Sequence, residues 1–285
     1  MEKKHSVFKT IFTLPVIIYT FILILLPLLY ILFLSFCKSD SYGGIIYNLT
    51  FENYINIFDI TYIRMLFKSG LIAVVATFIC ALISYPFALI LRTKSKYIKN
   101  LSTKLIMVPF LTNSLIRTYG WIILLRKSGI INSALLSSGL ISTPLNLMYN
   151  KFGIIVGMVY TLLPFMLLPI CSSIFEIDNN IIEAARDLGA KPMQIFRKVI
   201  LPQTASGLFN GGLMVFMPAI GYFFIADILG GGKTMIVGNL IKNQFLTARN
   251  WPFGSAIAIF LIFITLLLVK LYKRLGGKMD DLGGF

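Results

Sequence analysis

Apolar residues gather into six runs long enough to cross a bilayer, at 10–36, 66–91, 105–125, 152–175, 207–229 and 253–272. A span needs about 20 predominantly apolar residues to cover the hydrocarbon. The runs are continuously apolar, with no polar residue at every second position, so they predict helices and not the strands of a barrel. Pro15, Pro27, Pro86, Pro109, Pro164, Pro169 and Pro218 fall inside them, and several helices are therefore expected to bend or unwind locally. The first run exceeds the apolar core of a signal peptide and lacks a small-residue cleavage site, so it is expected to remain as a span. Gly153 with Gly157 and Gly207 with Gly211 have the G-x-x-x-G spacing that lets helix backbones approach closely, and ordinary helix packing accounts for both. The expected architecture is an all-α integral membrane protein of six transmembrane helices.

Composition agrees with this pattern. The chain has 285 residues, of which 57% are hydrophobic and only 13% charged, where a soluble globule has about a quarter charged. The net charge of +15 is unevenly spread. Sixteen basic residues fall before the first run, between the second and third, between the fourth and fifth, and from Lys270 at the end of the sixth onward; the other connections hold seven. Cytoplasmic connections carry the excess of Lys and Arg, so both termini are expected inside, consistent with an even number of spans. The expected layout is a cytoplasmic N-terminus at 1–9 and one transmembrane domain over 10–285. The basic surplus points to the lipid bilayer and its anionic headgroups; no nucleic-acid motif is present, so no nucleic-acid partner is expected. His5 is the single histidine, and Cys37, Cys80 and Cys171 are widely separated. Neither set has the spacing of a metal site, a catalytic triad or a redox pair.

The connections on the less basic side have their own character. The segment 53–64, NYINIFDITYIR, mixes aromatic and aliphatic residues with polar ones and reads as an interfacial or partner-facing helix. Asp40, Glu52 and Asp59 lie in the same region and are candidates to meet basic groups of an external partner. GGGKT at 230–234 resembles a phosphate-binding loop only in part, because Asp227 stands where that motif needs Gly and no strand precedes it; a turn is the expectation there.

The richest segment is 177–202, IDNNIIEAARDLGAKPMQIFRKVILP, the one long polar stretch on the basic side. Asn180 with Glu183 has the spacing of a capping box. Ile181, Ala184, Ala185 and Leu188 would form one apolar stripe, and Gly189 suits a left-handed helix stop. Pro192 can open a second helix whose face carries Ile195, Phe196 and Val199, with Pro202 expected to end it. The segment thus specifies a helix, a sharp turn and a second helix at the membrane surface.

Glu183, Ala184 and Ala185, followed by Gly189, Val199, Leu201 and Pro202, resemble the EAA-x3-G-x9-I-x-LP signature of ABC importer permeases, with Val199 in place of the usual Ile. Further along, TNSLIRTYGW at 112–121, LLPFMLLPICSSI at 162–174 and FLTARNWPFGSA at 245–256 look like spermidine/putrescine permease subunits of the PotB type. The resemblance covers most of the chain from the third run onward. It implies the type I importer permease fold, MetI-like, with the 177–202 loop docking its short helix in a cleft of a cytoplasmic ATPase. It further implies a second permease subunit of the PotC kind, a PotA-like ATPase dimer and a PotD-like external polyamine-binding protein. This chain would bind no cofactor and would be no enzyme, since ATP is hydrolysed by the partner subunits.

A polyammonium cargo calls for carboxylates and aromatic faces along its path. Asp227, near the end of the fifth run, is the leading candidate, because a carboxylate at mid-bilayer is disfavoured by roughly 2.5 to 3.5 kcal/mol on insertion scales. Tyr222 and Tyr160 are candidate aromatic partners. The competing expectation for Asp227 is an ion pair with Arg117, the one Arg well inside a run. The coupling signature identifies the engine and not the cargo, so the same machine for another small solute is an alternative. A secondary transporter would need acidic relays or inverted repeats, and Asp227 alone stands within the later runs.

Overall fold

The computed structural model describes residues 13–40, 42–232 and 234–274. The N-terminal segment 1–9, with His5, Lys3, Lys4 and Lys9, lies outside the described residues, as do Lys233 and Lys278. Among the described residues the regular structure is helical apart from a two-residue antiparallel ladder, β1 (Lys38–Ser39) with β2 (Ile45–Ile46). Among the described residues four helices are long and apolar enough to cross a membrane: α1 (Thr13–Ser35), α3 (Ile60–Arg92), α7 (Lys151–Phe175) and α13 (Trp251–Arg274). A fifth candidate is a bent pair, α9 (Pro192–Gln203) and α10 (Ala205–Gly221), which meet at 63°. The shorter helices are α2 (Glu52–Ile57), α4 (Lys96–Met107), α5 (Ser114–Leu125), α6 (Ile130–Ser137), α8 (Asn179–Asp187), α11 (Phe223–Gly230) and α12 (Val237–Leu246).

Two expected spans are not continuous helices. The run at 105–125 is divided between α4 and α5 by a 3-10 turn at Val108–Leu111 and an extended Thr112. Pro109 stands at the start of that turn, without an N–H to continue the α ladder, and the Asn113 side chain then accepts from the Leu115 amide at 2.8 Å to open α5. The run at 207–229 is interrupted at Tyr222, whose ψ of 60° separates α10 from α11. Proline is not what divides this run. α3, α7 and α10 carry Pro86, Pro164, Pro169 and Pro218 within unbroken helices, and α1 passes Pro27 by widening into a π turn at Phe21–Leu25.

The chain forms two compact units. One comprises residues 13–63 and 240–267. Within it α1 is exposed along nearly its whole length, as a lipid-facing helix must be, and becomes buried at Leu34 and Ser35. Asn53 of α2 donates to the carbonyls of Ser35 and Cys37 at 3.0 and 2.8 Å, which satisfies acceptors left open at the end of α1. The segment 53–64 is therefore not one helix. It divides into α2, a turn, and the start of α3, where Asp59 accepts from the Thr61 amide at 2.8 Å. That backbone donor holds the exposed Asp59 carboxyl below its ordinary range. The Tyr62 and Phe253 rings pack at 5.0 Å, and the Phe58 and Phe260 rings at 6.1 Å.

The other unit comprises residues 64–239 and 268–274. Its axis is α7, along which Ile154, Met158, Leu162, Met166, Ile170 and Ile174 recur every fourth residue, each at most 1% exposed. Lipid tails are as apolar as these side chains, so helices associate here by close van der Waals packing. The small residues set that closeness. A Cβ on Gly207 would lie 2.6 Å from the Pro169 carbonyl oxygen, and one on Gly211 would lie 2.9 Å from that of Met166, so α10 crosses α7 at backbone distance. Gly157 likewise admits Leu229 and Ile225 of α11. Both G-x-x-x-G pairs are helix-packing contacts.

Candidate functional site

The 177–202 segment folds as a helix, a turn and a helix, with its parts assigned differently from expectation. Asp178, not Asn180, caps α8: its carboxylate accepts from the Asn180 amide at 2.9 Å, and Asn180 lies inside the helix. The sequence offers Asp178, Asn179 and Asn180 in succession, and local pattern alone does not choose among them. Arg92, at the end of α3, donates through Nη2 to the Ile177 carbonyl at 2.9 Å and to Asn179 Oδ1 at 2.7 Å, tying the start of the loop to a spanning helix.

The buried face of α8 is one residue out of phase with the expected stripe. Ile182 is buried with Ile177 and Ile195, and Ala185, Ala190, Val199 and Ile200 pack against that cluster. Ile181 and Ala184 are exposed, and Leu188 is 88% exposed. Adjacent isoleucines at 181 and 182 allow two helical phases, and the Ile177 and Ile195 side chains select the second. The result is an α8 whose outer face presents Ile181, Ala184 and Leu188 beside Asp187. A cleft of about 620 Å³ lies behind it, lined in part by Arg92, Asn179, Glu183 and Arg186.

The turn follows the expectation for Gly189. Its φ is +79°, its amide donates to the Arg186 carbonyl at 2.8 Å, and the Ala190 amide donates to that of Ala185 at 3.0 Å; together these form a Schellman stop. Lys191 then caps α9, the Gln194 side chain accepting from its amide at 2.8 Å, and Pro192 occupies the first turn. Pro202 does not end this helix. A π turn at Phe196–Ile200 widens the backbone, so that the chain carries Leu201 and Pro202 on to Gln203 before bending at Thr204. Thr204 is fully buried and shares a hydrogen bond with Tyr85 of α3, and Phe196 packs edge-on against the Tyr85 ring at 5.7 Å. Of the signature residues, Gly189 sets the turn, Ala185 faces the core, Ala184 lies on the outer face, and Glu183 is exposed at the cleft.

The proposed path residues lie apart from this loop. Asp227 on α11 accepts a hydrogen bond from the Asn239 side chain, which also donates to the Phe223 carbonyl at 3.1 Å. Among the described residues no ion pair joins Asp227 to Arg117. Tyr222 occupies the break between α10 and α11, and Tyr160 lies on α7 with Trp121 edge-on at 5.4 Å. Arg117 stands over the Tyr160 ring, with its Cζ 5.9 Å from the centroid. The structure thus brings Tyr160 and Arg117 together; Asp227 pairs instead with Asn239. The G-G-G run closes α11: Gly231 and Gly232 have φ of +59° and +73°, as a turn requires, and the Leu229 carbonyl accepts from the Tyr149 amide at 2.8 Å.

Residues 86–281 match the family of binding-protein-dependent transport system inner membrane components. The chain belongs to this family. The permease is 44% identical over 251 residues to the spermidine/putrescine transport system permease protein PotB of Haemophilus influenzae, covering 88% of each chain. It is 39% identical over 284 residues to PotB of Salmonella typhi, covering 98% of this chain and 99% of that one. Its fold is that of type I ABC importer permeases. It matches a crystallised bacterial alginate ABC transporter bound to an alginate-loaded periplasmic protein, with a TM-score of 0.77 at 15% identity over 99% of this chain and 97% of that one. It also matches the inward-facing MetNI methionine transporter, with a TM-score of 0.52 at 19% identity over 76% and 97% of the two chains. As a member of the family the permease is a multi-pass inner-membrane component that works with a binding protein and an ATPase, and ATP is hydrolysed by the partner subunits.

Proposed function

We propose that this permease imports polyamines of the spermidine and putrescine class, together with a PotC-like second permease, a PotA-like ATPase dimer and a PotD-like external binding protein. The observation that carries the reading is the identity with PotB relatives at 44% and 39%, the latter along almost the whole of both chains. The outer face of α8 supports the coupling role. Ile181, Ala184 and Leu188 form an exposed apolar stripe flanked by Asp187, on a short helix held by Arg92 and the Gly189 turn, and such a face calls for a protein cleft to cover it. In this reading Glu183, Ala184, Ala185, Gly189, Leu201 and Pro202 transmit ATPase closure to the spans of one transmembrane domain, with both termini cytoplasmic. Asp227, Tyr222 and Tyr160 line the substrate path, and Asp227 supplies charge from within α11.

The test is uptake of labelled spermidine, putrescine and an unrelated solute by a strain lacking its own carrier and supplied with the whole transporter. Saturable polyamine uptake is expected, and uptake of the unrelated solute alone overturns the cargo assignment. Asp227→Asn keeps the size of the side chain and removes its charge. Hydrogen bonds to charged groups contribute about 1.5 to 3 kcal/mol, so uptake is expected to fall roughly ten- to a hundredfold at normal membrane abundance. Unchanged uptake removes Asp227 from the path.

A further inference from the structure

Arg117 is held in an unusual way. Its Nε and Nη1 are buried and have no hydrogen-bond partner, and among the described residues it makes no ion pair. A guanidinium is built to donate, and leaving two of its donors unmet in a site closed to water is unfavourable. What faces its charge is an aromatic surface. Arg117 stands over the Tyr160 ring at 5.9 Å, and Trp121, one turn further along α5, packs its ring edge-on against the same tyrosine. Because Nε and Nη1 are sealed inside the chain, an acceptor brought by another molecule cannot reach them while the side chain stays where it is. Movement away from Tyr160 would relieve both donors and uncover the ring.

An alkylammonium group is recognised by the same chemistry that holds Arg117, a cation against an aromatic face, and one face accepts one cation. We propose that Arg117 is a resident cation on Tyr160, and that an ammonium group of the substrate must displace it to bind there. This rests on the polyamine reading above. It makes Arg117 a specificity determinant: a cation enters only if it gains more from the aromatic site than Arg117 loses on leaving, which favours a polyammonium chain with further contacts over a small monovalent ion.

The signature is a coupling between two positions. In the wild type, removing the Tyr160 ring takes a partner from both the resident and the incoming cation, so the two losses offset. Without Arg117, the ring serves the substrate alone. Spermidine binding is measured by calorimetry on the purified permease–ATPase complex in nanodiscs, without the binding protein. Arg117→Gln is expected to tighten binding about 2- to 30-fold, the span of a cation–π contact, and Arg117→Lys to leave it near wild type. Tyr160→Leu should weaken binding more in the Arg117→Gln background than in the wild type, and abolish the gain there. Equal effects of Tyr160→Leu in both backgrounds, or no tightening by Arg117→Gln, overturn the proposal. If the Gln variant does not assemble with the ATPase, Arg117→Met, which keeps the stem without the charge, is measured in the same cycle. Uptake by wild-type proteoliposomes with the binding protein separates the two levels. Normal spermidine uptake with an additive cycle sinks the resident-cation role alone, and absent uptake sinks the polyamine reading beneath it.

Discussion

Gly189 acts through a backbone angle and not through space. Its φ is +79°, yet a Cβ built on it would meet nothing within 4 Å, so any side chain fits and only the conformation is selective. A β-branched residue in the left-handed region is disfavoured by roughly 1–2 kcal/mol, while Asn visits it readily. Gly189→Val should therefore disturb the Schellman stop and the aim of α8, whereas Gly189→Asn should preserve both. The expected outcome is normal membrane abundance for both variants, with ATPase association and transport-stimulated hydrolysis lost only in Gly189→Val; equal coupling by the two would show that the turn does not position α8. This glycine was legible in the sequence because its warrant is local: a helical stripe, a Gly and a Pro within a few residues. Arg92, Tyr85 and Thr204 were not, since their hydrogen bonds close over 85 and 119 residues of chain and have no local signature. Asn239 lies only 12 residues from Asp227, but its pairing depends on how the segment after α11 turns back.

At the scale of elements, run length predicted where apolar helices lie better than whether they are continuous. The counting of apolar residues is blind to a cap at Asn113 or a twisted ψ at Tyr222, because the side chains on either side remain apolar. Proline content likewise does not say where a helix ends: Pro86, Pro164, Pro169 and Pro218 lie within continuous helices, while Pro27 follows a π turn and Pro109 stands in a 3-10 turn. Glycine spacing was the more reliable signal, because its consequence is steric. Gly211→Ala would place a Cβ 2.8 Å from the Met166 sulfur and 2.9 Å from the Met166 carbonyl oxygen, whereas Gly212→Ala meets nothing nearer than 3.9 Å. Overpacking a fitted contact is unfavourable by about 1–3 kcal/mol. The Ala variant at 211 is expected to lower the thermal unfolding temperature of the purified complex and its membrane abundance, and the neighbouring one at 212 to leave both unchanged. A Gly211→Ala protein as stable as its neighbour would mean that α10 has room to retreat from α7.

At the scale of the whole molecule, charge and geometry bear on orientation independently. The basic count assigns a side to each connection, while the helical contacts determine which connections share a side. Lys99 of α4 lies over the Phe175 ring at 5.3 Å, at the end of α7, and Arg92 at the end of α3 holds Ile177 and Asn179. The 93–104 region and the 177–202 loop therefore lie at the same end of α7. Asn150, which caps the other end of α7 by accepting from the Gly153 amide at 3.0 Å, is separated from them by a 25-residue helix about 37 Å long, enough to cross the hydrocarbon. Reporter fusions after Lys99 and Lys191 must then agree with each other and disagree with one after Asn150, whatever the absolute orientation. The surplus of Lys and Arg on the first two sets that orientation, and the expected readings are inside, outside and inside in chain order. An outside reading at Lys191 would place Glu183 and the exposed stripe of α8 where no ATPase can reach them, and would overturn the coupling role of the loop. A disagreement between Lys99 and Lys191 would instead break the packing of α4 against α7.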